Sequence, residues 1–275
     1  MLNWTFIRQV GPVQWVTRYS TLQFRKRVLK QDSRLRLPTG VRMTLPRQSR
    51  TSTEIYVTNA NMDWGAEAIF AQFADPHRDF LDIGAHIGYY AAYLSPCVRR
   101  AYAFEPDIRN LPGLRGNASL TPNIEVVEMA VSSSDGVANF FGGNGSSVGS
   151  LNNVGGSVRQ VTVTSVDTFV ANHAGINVGL IKTDVEGHDL EALHGMNTTV
   201  ASFQPLILTE CEMSSELIDL CSQWKYKIFA TQKDKRNGKQ HFGECKPEDK
   251  EDYGMKMLFL TPQSLHNAFA GLTVH

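Results

Sequence analysis

Residues 80–90 read FLDIGAHIGYY, a short apolar strand running straight into a glycine turn and then into a helix-forming stretch. That junction constrains the fold more than any other part of the chain. A buried strand can reverse into a helix over so few residues only where Gly84, Ala85 and Gly88 keep large side chains out of the turn. Such a turn leaves backbone N–H groups at a helix N-terminus, open to the close approach of a ligand. A GxGxxG run would favour the pyrophosphate of a dinucleotide, but the order here is GAHIG, with Asp82 two residues before the first glycine. A carboxylate at that point repels phosphate and suits a cationic group.

The same alternation continues on both sides. AEAIFAQF predicts a helix capped by Asn61 or Asp63, and AYAFE (101–105), IEVVEMAV (124–131), GLIKTDV (179–185) and PLILTEC (205–211) predict strands. Helices are expected over 107–120, where Pro112 and Gly113 make the pattern irregular, and over HDLEALHGM (188–196). VANFF and VRQVTVTSV alternate like an antiparallel pair, and KYKIFAT with KMLFLT resembles a closing hairpin around the charged insertion 232–253. Residues 1–30 are partly helical with a break at Gly11-Pro12, and 35–58 read as short strands: LRLP, VRMTL and TEIYVT. The prediction is an α/β, Rossmann-like, doubly wound and mostly parallel sheet with a C-terminal antiparallel hairpin, spanning 61–275, after a basic extension of residues 1–60. In such a sheet ligands bind beyond the C-terminal strand ends, at the switch point.

Apolar residues make up 42% of the 275, enough for the core of one ordinary domain, and no apolar run approaches the roughly 20 residues that span a bilayer. No secretory signal pattern is visible, and the chain reads as cytoplasmic. Cys97, Cys211, Cys221 and Cys245 show neither CxxC nor Cys/His spacing and read as reduced thiols. The zero net charge hides a split: residues 1–50 hold eleven Lys/Arg against Asp32 alone, leaving the remainder at net −10. The basic extension fits contact with an anionic surface such as a membrane, or packing on the acidic remainder or on a second copy of the chain.

Every chemically suggestive residue falls at a predicted strand end. Glu105 closes the second strand, 21 residues after Gly84, where a carboxylate can accept both ribose hydroxyls of a nucleotide cofactor, NAD included. Within KTDVEGHD (182–189), Asp184 lies near the end of a buried strand, and Glu186 and His188 lie on the loop into the next helix, placed to orient an acceptor hydroxyl and take its proton. Glu210 ends the following strand and faces the same cleft. Asp184 and Glu210 could hold a divalent cation through oxygen ligands, but with no accompanying Asp-Asn pair no metal is expected.

DIGAHIGYY, AFEP and KTDVEGHDLEAL, in this order and spacing, resemble the FkbM family of class I methyltransferases over roughly residues 61–212. The resemblance implies a class I methyltransferase fold with S-adenosylmethionine as cofactor. Asp82, Gly84, Ala85, His86, Ile87 and Gly88 would then line its methionine end, and Glu105 would bind ribose. Pro106 would shape the turn beside the adenine, Asn117 and Ala130 would approach the nucleoside, and Ser147, within SSVGSL, would lie in a loop over the cofactor. The chain departs from the family pattern at two places. His86 stands where Asn is usual, so its charge would vary near pH 6.5 if unperturbed, and Asp189 stands where Glu is usual. The expected reaction is O-methylation of a hydroxyl on a sugar, glycan or polyketide-like small molecule, with Asp184, Glu186, His188 and Glu210 as the reaction centre. The rivals are an NAD-dependent oxidoreductase and a non-catalytic partner- or nucleic-acid-binding protein using the basic arm. Nucleic acid is the less expected partner, since neither an NPPY-like tetrapeptide nor a catalytic Cys motif is present. A homo-oligomer is compatible with the sequence.

Overall fold

The structure, a computed structural model of the chain, describes residues 4–143 and 149–272. Helices α1 (Trp4–Val10) and α2 (Pro12–Arg27) are parted at Gly11, as Gly-Pro requires. Strands β1 (Ser33–Arg36) and β2 (Arg42–Leu45) form an antiparallel hairpin. TEIYVT is not a strand but lies in helix α3 (Thr51–Thr58), which buries Ser52, Ile55 and Thr58 at a spacing of three and ends on left-handed Asn59. Helix α4 (Ala66–Gln72) starts after a left-handed Gly65, and its Glu67 accepts hydrogen bonds from the backbone N–H groups of Met62 and Asp63. Asp63 is therefore free for a different partner.

Then come β3 (Asp79–Ile83), α5 (Tyr89–Leu94), β4 (Ala101–Phe104), α6 (Leu111–Ala118) and β5 (Ile124–Val127). IEVVEMAV breaks after β5, and its end is β6 (Ala130–Val131), which joins β7 (Gly136–Phe141) and β8 (Val158–Thr164) in a separate small sheet of order β6-β8-β7. The remaining elements are α7 (Val166–Ala171), β9 (Val178–Thr183), α8 (Asp189–His194), α9 (Asn197–Phe203), β10 (Leu206–Thr209) and α10 (Ser215–Trp224). The chain ends with β11 (Lys227–Asp234), β12 (Gln240–Glu244), α11 (Asp249–Asp252), β13 (Tyr253–Thr261) and α12 (His266–Ala270). The charged insertion thus adds an edge strand, so the expected hairpin of β11 and β13 becomes three antiparallel strands.

The main sheet has eight strands in the order β12-β11-β13-β10-β9-β3-β4-β5. β10, β9, β3, β4 and β5 are parallel and β13 enters antiparallel to β10, which is the mostly parallel, doubly wound sheet that the alternation predicts. Side chains alternate between its two buried faces: Phe80 packs with α4 and α5, Leu81 and Ile83 with the cluster of α7–α10. Residues 33–58, expected to lie outside the domain, share this core through Leu37, Met43, Leu45 and Ile55. α1 and α2 cap them, with Phe6 and Trp15 packed on Val57. Arg18 and Lys26 donate to the backbone oxygens of Tyr56 and Ser49. Among the described residues no helix is long and apolar enough to cross a membrane.

Candidate active site

A cavity of about 360 Å3 opens beyond the C-terminal ends of β3, β4, β9 and β10, where the chain winds outward in both directions from the β3–β9 pair. Its walls fall into two halves of different construction.

One half is the glycine turn. Gly84 has φ 77°, and a Cβ built on it would lie 1.9 Å from the backbone oxygen of Asp184, so only glycine fits where the β3 and β9 loops meet. The N–H groups of Gly84 and Ala85 both donate to Phe104 O, at 3.1 and 2.9 Å. Glu105, buried, accepts from His86 N at 2.8 Å through one oxygen and from Asp107 N at 2.7 Å through the other. Burial pushes its carboxyl up to about 8. Pro106, Met129, Ala130, Phe140 and Leu151 make an apolar slot beside it.

Asp82 alternates onto the α5 side of β3, where one oxygen accepts from Ala91 N at 2.9 Å and the other, Oδ1, is buried without a hydrogen-bond partner. Burial raises it to about 6 even though Lys182 pulls the other way. His86 adopts φ 52°, and both its ring nitrogens are buried at the cavity wall without a partner. Burial lowers it to about 4, so the imidazole is neutral and its charge does not vary near neutrality, contrary to the expectation for an unperturbed ring.

The other half is charged. Asp82 and Lys182 are register neighbours on β3 and β9. The buried Lys182 ammonium lies 3.1 Å from Asp184 Oδ2, 3.9 Å from Asp82 Oδ1 and 5.3 Å from the ring centroid of Tyr90. Burial works against its charge, but Asp184 and Asp82 outweigh burial and hold it protonated far into the alkaline range. Asp184 shares a hydrogen bond with Glu210. Desolvation and the charge of Asp184 push Glu210 up to about 9, while Lys182 and the Glu210 proton keep Asp184 ionised against its burial. Asp63, also buried, accepts from Tyr90 OH at 2.7 Å and pairs with Lys256 at 2.7 Å. Glu186 sits on the rim at φ 52°, and desolvation with the neighbouring Asp184 raises it to about 7.

Of the residues predicted from sequence, Asp82, Gly84, Ala85, His86, Glu105, Pro106, Ala130, Asp184, Glu186, His188 and Glu210 all line the cavity. Ile87, Gly88 and Asn117 stand behind it instead. Asn117 donates to Ile87 O and Thr44 O and accepts from Thr44 N, tying the turn to β2. A Cβ on Gly88 would meet Leu114 at 2.8 Å. Ser147 lies outside the described residues, though Gly149, Ser150 and Leu151 of the same stretch reach the wall. His188 has both ring nitrogens occupied, by Ser132 Oγ at 2.9 Å and Asn152 Oδ1 at 3.3 Å, and anchors the loop rather than offering a lone pair. Sequence reasoning missed Asp63, Tyr90, Lys182 and Lys256. The available signals were a lysine within an otherwise apolar strand, at 182 and again at 256, and an acid at 63 that no helix needed as a cap.

Residues 82–232 match the Methyltransferase FkbM domain family, a span that starts later and runs further than the motifs suggested. No curated protein matches the sequence. Among solved structures, a methyltransferase FkbM from Methylobacillus flagellatus KT is similar at 15% identity and TM-score 0.43, over 91% of this chain and 60% of that one. Trm5b from Pyrococcus abyssi is similar at 10% identity and TM-score 0.44, over 84% of this chain and 56% of that one. Precorrin-6y C5,15-methyltransferase from Geobacter metallireducens GS-15 matches at 12% identity and TM-score 0.40, over 70% and 84%. This chain thus spans about three-fifths of the length of the first of these.

Proposed function

The chain belongs to the FkbM methyltransferase family, and we propose that it transfers a methyl group from S-adenosylmethionine to a hydroxyl oxygen of a sugar, glycan or polyketide-like small molecule. The family sets aside the dinucleotide-dependent oxidoreductase. The cofactor supplies an electrophilic methyl group on a sulfonium. The residues fit such a molecule: Asp82 Oδ1 and both His86 nitrogens are buried polar atoms in want of partners. Glu105, at the mouth of an apolar slot, suits a ribose diol beside an aromatic base. Carboxyls raised to about 6 and about 8 are also those that a cationic ligand returns to the ionised form.

The observation that carries the hydroxyl reading is the carboxyl pair Asp184–Glu210 closed on Lys182. With the Glu210 proton held on ionised Asp184, the pair offers acceptor oxygens to an incoming hydroxyl and can fix its direction. Methyl transfer needs the oxygen held in line about 3 Å from the methyl carbon, and the hydroxyl proton must leave as the bond forms. Glu186, on the rim and raised to about 7, is matched to accept that proton near neutral pH. Lys182 and Lys256 offset the acids, which favours a neutral acceptor over an amine.

The test is transfer of labelled methyl from S-adenosylmethionine to a panel of sugar and polyketide hydroxyl acceptors. Glu186→Gln should lower kcat by about a hundredfold and abolish the fall in rate as pH drops below about 7, with affinity for S-adenosylhomocysteine within about twofold of the parent. Label recovered on nitrogen, or an unchanged kcat and pH profile, would refute the assignment.

A further inference from the structure

Among the described residues, five of the ten large apolar side chains left exposed, Val13, Val16, Phe24, Val28 and Leu29, lie on α2 or directly after it, 46–77% exposed. At 100° per residue Val13, Val16, Ser20 and Phe24 fall on one face of α2, opposite Trp15 and Leu22, which the helix buries. Nothing among the described residues covers this outer stripe. Residues 1–31 contain no acid, and the exposed Arg25, Arg27, Lys30, Arg34, Arg36 and Arg42 take part in none of the ion pairs among the described residues. Arg36 and Arg42 are register partners across the β1–β2 hairpin, while their neighbours Leu35 and Met43 turn to the core. Like charges directly opposite destabilise a hairpin unless an anion lies over both.

We propose that α2 and the β1–β2 hairpin dock the protein on the surface of an anionic phospholipid bilayer. The apolar stripe enters the headgroup boundary while the arginines meet lipid phosphates and carboxylates, the arrangement of an interfacial helix. Nucleic acid would use the cations but leave Phe24 and Val28 in water, so the stripe decides between the two polyanions. Arg50, Thr51 and Glu54, which follow the hairpin directly, line the cavity, so a docked protein holds its cavity close to the bilayer. The proposal stands apart from the methyl-transfer reading and fails or survives independently of it.

The experiment is co-sedimentation of the full chain with phosphatidylcholine vesicles, with and without phosphatidylserine, at low and high salt. The protein should pellet only with the phosphatidylserine vesicles, with affinity dropping about tenfold or more at high salt. The triple change Arg34→Gln, Arg36→Gln, Arg42→Gln should weaken binding about a hundredfold, at roughly fivefold per cation. Phe24→Ser with Val28→Ser should weaken it about tenfold. Both variants alter exposed positions and should melt within about 2 °C of the parent. Equal pelleting with neutral vesicles, no pelleting, or unaltered binding by either variant would overturn the proposal. So would displacement of the vesicles by polyuridylate, or a dimer that Phe24→Ser dissolves in the absence of lipid.

Discussion

The glycine-turn half of the cavity is drawn mainly from residues 82–106 and is tied by backbone N–H groups, whereas the charged half gathers Asp63, Tyr90, Lys182, Asp184, Glu210 and Lys256 from across the chain. The first half is local, with Gly84 where the β3 and β9 loops touch. The second is held by ion pairs between residues distant in the sequence. A fold of this kind can keep the glycine-turn wall constant while the charged wall changes, because the two are stabilised by different forces.

The comparison breaks most sharply at Gly84. Gly84→Ala places a methyl group 1.9 Å from Asp184 O at φ 77°, and should cost about 4 kcal/mol or more of stability together with S-adenosylhomocysteine binding. Urea denaturation and calorimetry would check both, and a variant of parental stability would mean that the two loops do not meet as described. Next comes Lys182→Met, which strands Asp82 and Asp184 without their cation and should cost about 3 kcal/mol at neutral pH. If its urea midpoint barely moves, the charged half does not depend on that lysine. Glu105→Gln keeps the shape of the turn but loses the charge. It should weaken S-adenosylhomocysteine about tenfold, or roughly 1.4 kcal/mol, by titration calorimetry. An effect confined to the KM of the acceptor would assign Glu105 to the wrong half.

The smallest effect tests the seam between the halves. Burial first, and then the neighbouring Asp63, raise Glu67 to about 7, and it accepts from Tyr89 OH at 3.0 Å. In the unfolded chain a glutamate ionises near about 4.3. The protonated form therefore stabilises the fold fully below that pH, and the benefit fades as pH rises through about 7. Glu67→Gln should flatten this slope, a difference of a few degrees in melting temperature between about pH 5 and 8. Parallel slopes for parent and variant would show Glu67 ionised throughout.

The same contrast explains what was legible in the sequence. Asp82, Gly84, Glu105 and Pro106 could be read because one strand–turn–helix and the next strand end contain all four, and periodicity places them at one sheet edge. Asp63 and Lys256 could not, since they meet only through the insertion of β13 between β10 and β11. Asp63 was offered with Asn61 as a helix cap, but the N–H groups there go to Asn61 Oδ1 and Glu67 instead. TEIYVT was misread because β-branched residues favour strands in isolation, while burial of Ser52, Ile55 and Thr58 on one side decides for helix. Asn117 was placed at the right end of the sheet but on the wrong side of the turn, a distinction set by the hairpin β1–β2, which no motif announces.

β13 runs against its neighbours, so its first residues lie where the parallel strands finish, and Lys256 reaches Asp63 from there. On the ribosome the chain emerges from its N-terminal end. The glycine turn is therefore made well before β13, and the acidic wall stays without its last cation until β13 has left the exit tunnel. A nascent chain paused before residue 256 would hold Asp63 beside Tyr90 with no counter-charge, so completion of this wall waits on β13.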